Sequence, residues 1–302
     1  MNRFPNTLRL VLSLSLWTQV AAAEEPTLPT LSRYSVRFDQ PYHVTGETTL
    51  LADVYQPAEL TDRCPIVLVI HGGAWMSGDK ALPGTYARMF AENGIAAVSI
   101  NYRLAPTDKF PAQLDDVRKA LAWIHDQAAA NRWDLQRLGM FGYSAGAHLS
   151  CMIAMLADES AETVAKTTQL SADDPLWRKQ PRPIAVAAGG TPTDFRDLPP
   201  DNTMLAYFFG GTRRQRPDAY EFGSPAVLAS AGDPPTLFYH GTRDLLVPIA
   251  GAEALFQRQR ELKIDSEFVR VEGLGHLLSF MDAGARANVL RFMKSHLSPA
   301  AD

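Results

Sequence analysis

Leu138-Gly139-Met140-Phe141-Gly142-Tyr143-Ser144-Ala145-Gly146-Ala147-His148-Leu149 reads as a buried strand, a tight turn and the start of a helix. Residues 138–141 are nearly all apolar, as in a strand covered on both faces. The turn that follows is Gly-x-Ser-x-Gly, and residues 147–156 continue as a helical pattern. Strand, turn and helix in that order are the context of a nucleophile elbow. A tight turn lifts Ser144 above the sheet, and the glycines at 142 and 146 keep side chains from colliding with neighbouring strands and the helix. The Ser144 oxygen then lies near a helix N-terminus, whose amides favour developing negative charge.

Working outward, residues 66–70, 95–100, 184–188, 237–239 and 268–271 form further short apolar runs, each a predicted strand. Before them, 34–38 and 48–55 alternate apolar and polar side chains, which suits antiparallel strands with one solvated face. Between the runs lie helical patterns. The clearest is 112–130, where Leu114, Val117, Leu121 and Ile124 make one apolar stripe, with Asp115, Asp116, Arg118 and Lys119 expected to face outward. Alternating strand and helix predicts an α/β fold with a mostly parallel sheet flanked by helices. Two stretches without sustained period, 158–183 and 191–224, are the expected site of small lid-like insertions.

The second chemical element is His71-Gly72-Gly73-Ala74-Trp75, directly after the strand 66–70. Small residues there let backbone N–H groups approach a substrate carbonyl oxygen, so the amides of Gly73, Ala74 and Ala145 are the expected oxyanion donors. The order nucleophile, acid, base along the chain requires a base downstream of Ser144. His276, in Glu272-Gly273-Leu274-Gly275-His276, follows the last predicted strand and takes that role, while His71 is read as structural. His125, His148, His240 and His296 are likewise set aside as structural or exposed, and His43 precedes the parallel sheet. Asp244, at the end of His240-Gly241-Thr242-Arg243-Asp244, is the expected carboxylate that orients the base, in preference to Asp194 one strand earlier. Trp75 and Tyr143 are candidate pocket residues.

The chain has 302 residues, 46% of them apolar, and a net charge of −4. That length suits one large domain, and the absence of a basic run argues against a nucleic-acid partner. Arg3 and Arg9, the apolar stretch 10–20 and Ala21-Ala22-Ala23 have the pattern of a secretory signal, predicting a signal peptide over 1–23, a single domain over 24–302 and export to a periplasm or the medium. The stretch is shorter than the ~18 apolar residues a membrane span needs, so no stable span is expected after cleavage. Cys64 and Cys151 sit in no metal-ligand spacing and are read as separate buried residues. No cofactor or metal is expected, because hydrolysis through a serine nucleophile needs none.

These residues resemble α/β-hydrolases related to the hormone-sensitive-lipase group and to bacterial feruloyl and acetyl-xylan esterases. The resemblance rests on His71 to Trp75, on Asn101-Tyr102-Arg103-Leu104-Ala105-Pro106 with Phe110-Pro111, on Gly142 to Gly146, and on His240 to Asp244 with Gly275-His276. It implies the α/β-hydrolase fold and hydrolysis of carboxylic esters, small-molecule or polysaccharide-linked, with Ser144, Asp244 and His276 as the triad. Ala74-Trp75 replaces a third glycine and an aromatic residue found in many hormone-sensitive-lipase relatives, and Thr107 replaces a common acidic residue. Other readings are an arylformamidase-like amide hydrolase, an exopeptidase, and a non-catalytic hydrolase-fold binding protein.

Overall fold

A computed structural model describes residues 33–60 and 62–298, so the expected cleavage site at 21–23 lies outside the described residues. The strands are β1 (Tyr34–Thr45), β2 (Thr48–Pro57), β3 (Cys64–Ile70), β4 (Ala96–Ile100), β5 (Trp133–Tyr143), β6 (Ala185–Gly189), β7 (Thr236–Gly241) and β8 (Glu267–Val271). They form one sheet in the order β1-β2-β4-β3-β5-β6-β7-β8. β2 runs antiparallel to β1 and β4, and every other pairing is parallel. This is the α/β-hydrolase fold. β1 keeps most of its residues at least partly exposed, as its mixed composition requires, whereas β4, β6 and β7 are buried along their whole length.

Alternation along β3 divides the core. Ile66, Leu68 and Ile70 join one apolar cluster with the helices Ala112–Asn131 and Ala145–Met155; Val67 and Val69 join the other, with Gly84–Glu92 and Ala283–Leu297. Successive side chains of a strand point to opposite faces, so a strand between two helical layers must be apolar at every position. Ser144 lies just beyond β5, Asp244 beyond β7 and His276 beyond β8, all at the carboxyl edge of the parallel strands.

Three expectations need correction. The helix charges expected to face solvent are buried: Asp115, Asp116, Arg118 and Lys119 are at most 8% exposed. Other chain segments cover them. Arg118 bonds Asp115 and the backbone and hydroxyl of Thr167, and Asp116 receives Arg103 and Lys119. Secondly, the stretch 191–224 is no loose lid, since Phe195, Phe208, Phe209 and Tyr220 are inserted in the core. The other stretch, 158–183, packs on the helix Ala112–Asn131; neither lines the cleft that holds Ser144, although Tyr207 donates its hydroxyl to Ala74 O at 2.8 Å on the cleft's border. Thirdly, the helix begins at Ala145 rather than 147, because Ser144 itself is its N-cap residue. Cys64 and Cys151 are buried and unpaired.

Candidate active site

The elbow is built by close approach. A Cβ at Gly142 would lie 2.2 Å from the Gly146 carbonyl group, and one at Gly146 would lie 2.1 Å from the Ile70 carbonyl oxygen, so only glycine lets β5, the turn and the helix meet. Between them Ser144 has φ 55 and ψ −121, a region L-residues rarely occupy. The Ser144 amide donates to Gly189 O at 2.7 Å, and His148 N–H returns to Ser144 O at 3.0 Å. Backbone bonds on both sides thus hold the strained residue in place.

Asp244 and His276 come together although they lie on separate loops. Nδ1 of His276 is 2.6 Å from Asp244 Oδ2, and both side chains are buried. The other carboxylate oxygen accepts the Leu246 and Val247 amides at 3.0 and 2.8 Å. With Asp244 accepting at Nδ1, the tautomer leaves the His276 Nε2 lone pair free to accept a proton. Ser144 and His276 line one cleft of about 330 Å³. Asp194, the competing acid, pairs instead with Arg196 at 2.6 Å.

A second imidazole reaches the same carboxylate. His240 Nε2 is 2.9 Å from Val247 O and 3.2 Å from Asp244 Oδ2. Burial lowers its pKa, keeping the ring neutral. Both neighbours are acceptors, so Nε2 carries the hydrogen, and Nδ1 is left without a partner among the described residues. No short-range pattern singles out His240, since its role depends on a turn that returns the chain to its own strand end.

The loop after β3 takes left-handed conformations at Gly73 (φ 118), Ala74 (φ 51) and Trp75 (φ 57). This turns Gly73 O back to accept Met76 and Ser77 N–H, and leaves the amides of Gly73 and Ala74 without an internal acceptor among the described residues. The Ala145 amide, at the first position of its helix, has no intrahelical partner either. Both loops border the cleft, so these donors are available to a negatively charged oxygen there. His71 holds the loop from beneath: its Nδ1 lies 2.7 Å from Gly72 O, and its ring stacks on Tyr102 at 4.2 Å.

The two candidate pocket residues separate. Tyr143 lines the cleft, with its hydroxyl donated to the His276 carbonyl. Trp75 does not line it and is corrected to a core residue: its ring stacks on Phe208 at 4.2 Å and its indole N–H donates to His148 Nδ1 at 3.2 Å. The left-handed backbone at Trp75 and the aromatic residues of 191–224 draw the ring inward. No group of His, Cys, Asp and Glu that could hold a metal occurs among the described residues, and none of their helices is long and apolar enough to cross a membrane.

A family model described as BD-FAE matches residues 52–259. Among curated proteins, the chain is 28% identical over 246 residues to Esterase LipC of Mycobacterium tuberculosis (strain ATCC 25618 / H37Rv), covering 78% of this chain and 58% of that one. It is 30% identical over 237 residues to Esterase LipQ of the same organism, covering 74% and 52%. The chain thus spans little more than half the length of these relatives. Among solved structures, a truncated form of a carbohydrate esterase from gut microbiota superposes with a TM-score of 0.76 at 23% identity, covering 90% of this chain and 99% of that one. A thermophilic esterase, Est2 of Thermogutta terrifontis, superposes with a TM-score of 0.72 at 22% identity, covering 91% and 97%. At such identities the superpositions establish the fold.

Proposed function

Because the chain belongs to the BD-FAE family, we propose that it is a serine hydrolase of carboxylic esters, small-molecule or polysaccharide-linked, acting through an acyl-enzyme. The observation that carries this reading is the buried Asp244–His276 hydrogen bond opening on the cleft that also exposes Ser144. Ser144 Oγ attacks the acyl carbon and His276 Nε2 takes its proton. The oxyanion formed is stabilised by the amides of Gly73, Ala74 and Ala145, each such donor contributing about 3 kcal/mol to lowering the barrier. The acyl–oxygen bond then breaks, and His276 returns the proton to the departing alcohol. Water, deprotonated by the same imidazole, attacks the acyl-enzyme and regenerates Ser144. Asp244 holds the ring in the required tautomer and balances the transient imidazolium.

Hydrolysis of p-nitrophenyl acetate and butyrate, methyl ferulate and acetylated xylan, with Ser144→Ala as the reference, tests the proposal. The expected outcome is ester turnover that vanishes in the variant. Ser144-dependent cleavage of N-formylkynurenine without ester cleavage would favour the amide-hydrolase reading. No turnover and no labelling of Ser144 by a fluorophosphonate would favour a non-catalytic binding protein.

A further inference from the structure

Exposed aliphatic side chains are concentrated at one place on the molecule. Of the ten large apolar side chains exposed among the described residues, Met76, Leu82, Leu246 and Leu277 line the Ser144 cleft. Leu245, Leu278 and Met281 are their immediate neighbours on the same two segments, at 97%, 59% and 68% exposure. On the helix His276–Met281, Leu277 and Met281 are four residues apart and share a face, so the apolar surface runs out of the cleft and along the helix. Single exposed leucines are ordinary, but an apolar collar of seven such side chains grouped at one cleft marks a surface that meets an apolar ligand.

The polar side chains of the lining exclude another kind of ligand. Ser77 Oγ donates to Gly73 O, the Tyr143 hydroxyl donates to the His276 carbonyl, and His71 Nδ1 is engaged with Gly72 O. No Asp, Glu, Lys or Arg lines the cleft, so besides the reacting groups Ser144 and His276 and the oxyanion amides, only the acceptor side of the Ser77 hydroxyl remains to meet a polar ligand. A sugar loses water from several hydroxyls on binding and needs replacement hydrogen bonds, and each one left unmade weakens binding. Hydrocarbon needs none, and gains with each methylene buried.

We infer that the substrate carries an unbranched aliphatic chain that leaves Ser144 between Leu246 and Leu277 and lies along Leu278 and Met281. This rests on the ester-hydrolase reading above and narrows it to lipid-like esters, away from polysaccharide-linked ones. The test is kcat/KM, with every substrate kept below its solubility limit, for p-nitrophenyl esters from acetate to decanoate and for alkyl acetates from ethyl to octyl, on wild type and on Leu246→Ser/Leu277→Ser. Both leucines are more than two-thirds exposed, so the variant leaves the core intact. Along at least one series kcat/KM should rise by about tenfold or more, and the double variant should cut the long-to-short ratio by about tenfold. Ser144-dependent turnover that is flat or falling along both series would overturn the inference and leave the hydrolase reading standing. An equal rise in wild type and variant would overturn it too. Absence of any Ser144-dependent turnover would remove both. A solution dimer dissolved by Leu278→Ser/Met281→Ser would also overturn it, by assigning the collar to contact between copies of the chain.

Discussion

Ser144 concentrates the local tension of the molecule. With φ 55 and ψ −121 its backbone occupies a region in which a Cβ is strained, at a cost of about 1–3 kcal/mol, while glycine occupies it freely. Alanine at 144 retains the Cβ and therefore the strain. Ser144→Gly should accordingly be more stable than Ser144→Ala by about 1–2 kcal/mol, after allowing for the greater unfolded-state entropy of glycine. Calorimetric melting of the two inactive variants decides it: an alanine variant more stable by about 0.4–1 kcal/mol, the entropy difference alone, would mean that the turn holds no strain.

The helix Ala145–Met155 ties the nucleophile to the aromatic layer through His148. Its Nδ1 accepts the Trp75 indole N–H at 3.2 Å and its Nε2–H donates to Gly223 O at 2.8 Å, so the ring must be neutral. Burial lowers its pKa to about 4. The unfolded chain, with an ordinary imidazole near 6.5, binds the proton more readily, so His148 contributes stability that is complete above about pH 6.5 and is lost as pH falls toward 4. Protonated Nδ1 would confront the indole donor and loosen the loop that carries Gly73 and Ala74. Melting temperature should therefore fall between pH 6.5 and 4.5 with a slope that His148→Gln reduces. An unchanged slope in the variant would assign the acid sensitivity to other groups.

Across the whole molecule, buried ion pairs fasten segments that are distant in sequence. Arg103 makes a two-pronged contact with Asp116 at 2.8 Å, and Lys119 bridges Asp116 to Thr45 on β1. The segment that Arg103 anchors also supports the site, because the Tyr102 hydroxyl donates to His71 O and Ala105 N–H to Trp75 O. Asp116→Ala leaves two cations facing each other in a buried setting and should cost about 3–5 kcal/mol. Urea unfolding would measure it, and a loss under 1 kcal/mol would mean that water reaches the pair and screens it. Replacing Arg103, Asp116 and Lys119 together with apolar residues should recover part of the loss, since only Asp108, which is about one-third exposed, then loses an ion partner.

Features governed by near neighbours were legible in the amino-acid sequence. Continuous apolar runs mark strands covered on both sides, and glycines flanking Ser144 mark a turn that excludes Cβ atoms. The order of Ser144, Asp244 and His276 follows from strand ends arranged along one edge, and these positions meet or share a cleft. Burial by distant segments was not legible. Whether Asp115 and Asp116 face water depends on residues 167–169 and on Arg103, and whether Trp75 faces the cleft or the core depends on Phe195 and Phe208. His240 meets Asp244, and the exposed leucines gather around one cleft, only when separate loops close over the sheet. Periodicity tells which way a side chain points from its own element, but its solvation depends on what the rest of the chain lays over it, and that is decided only in three dimensions.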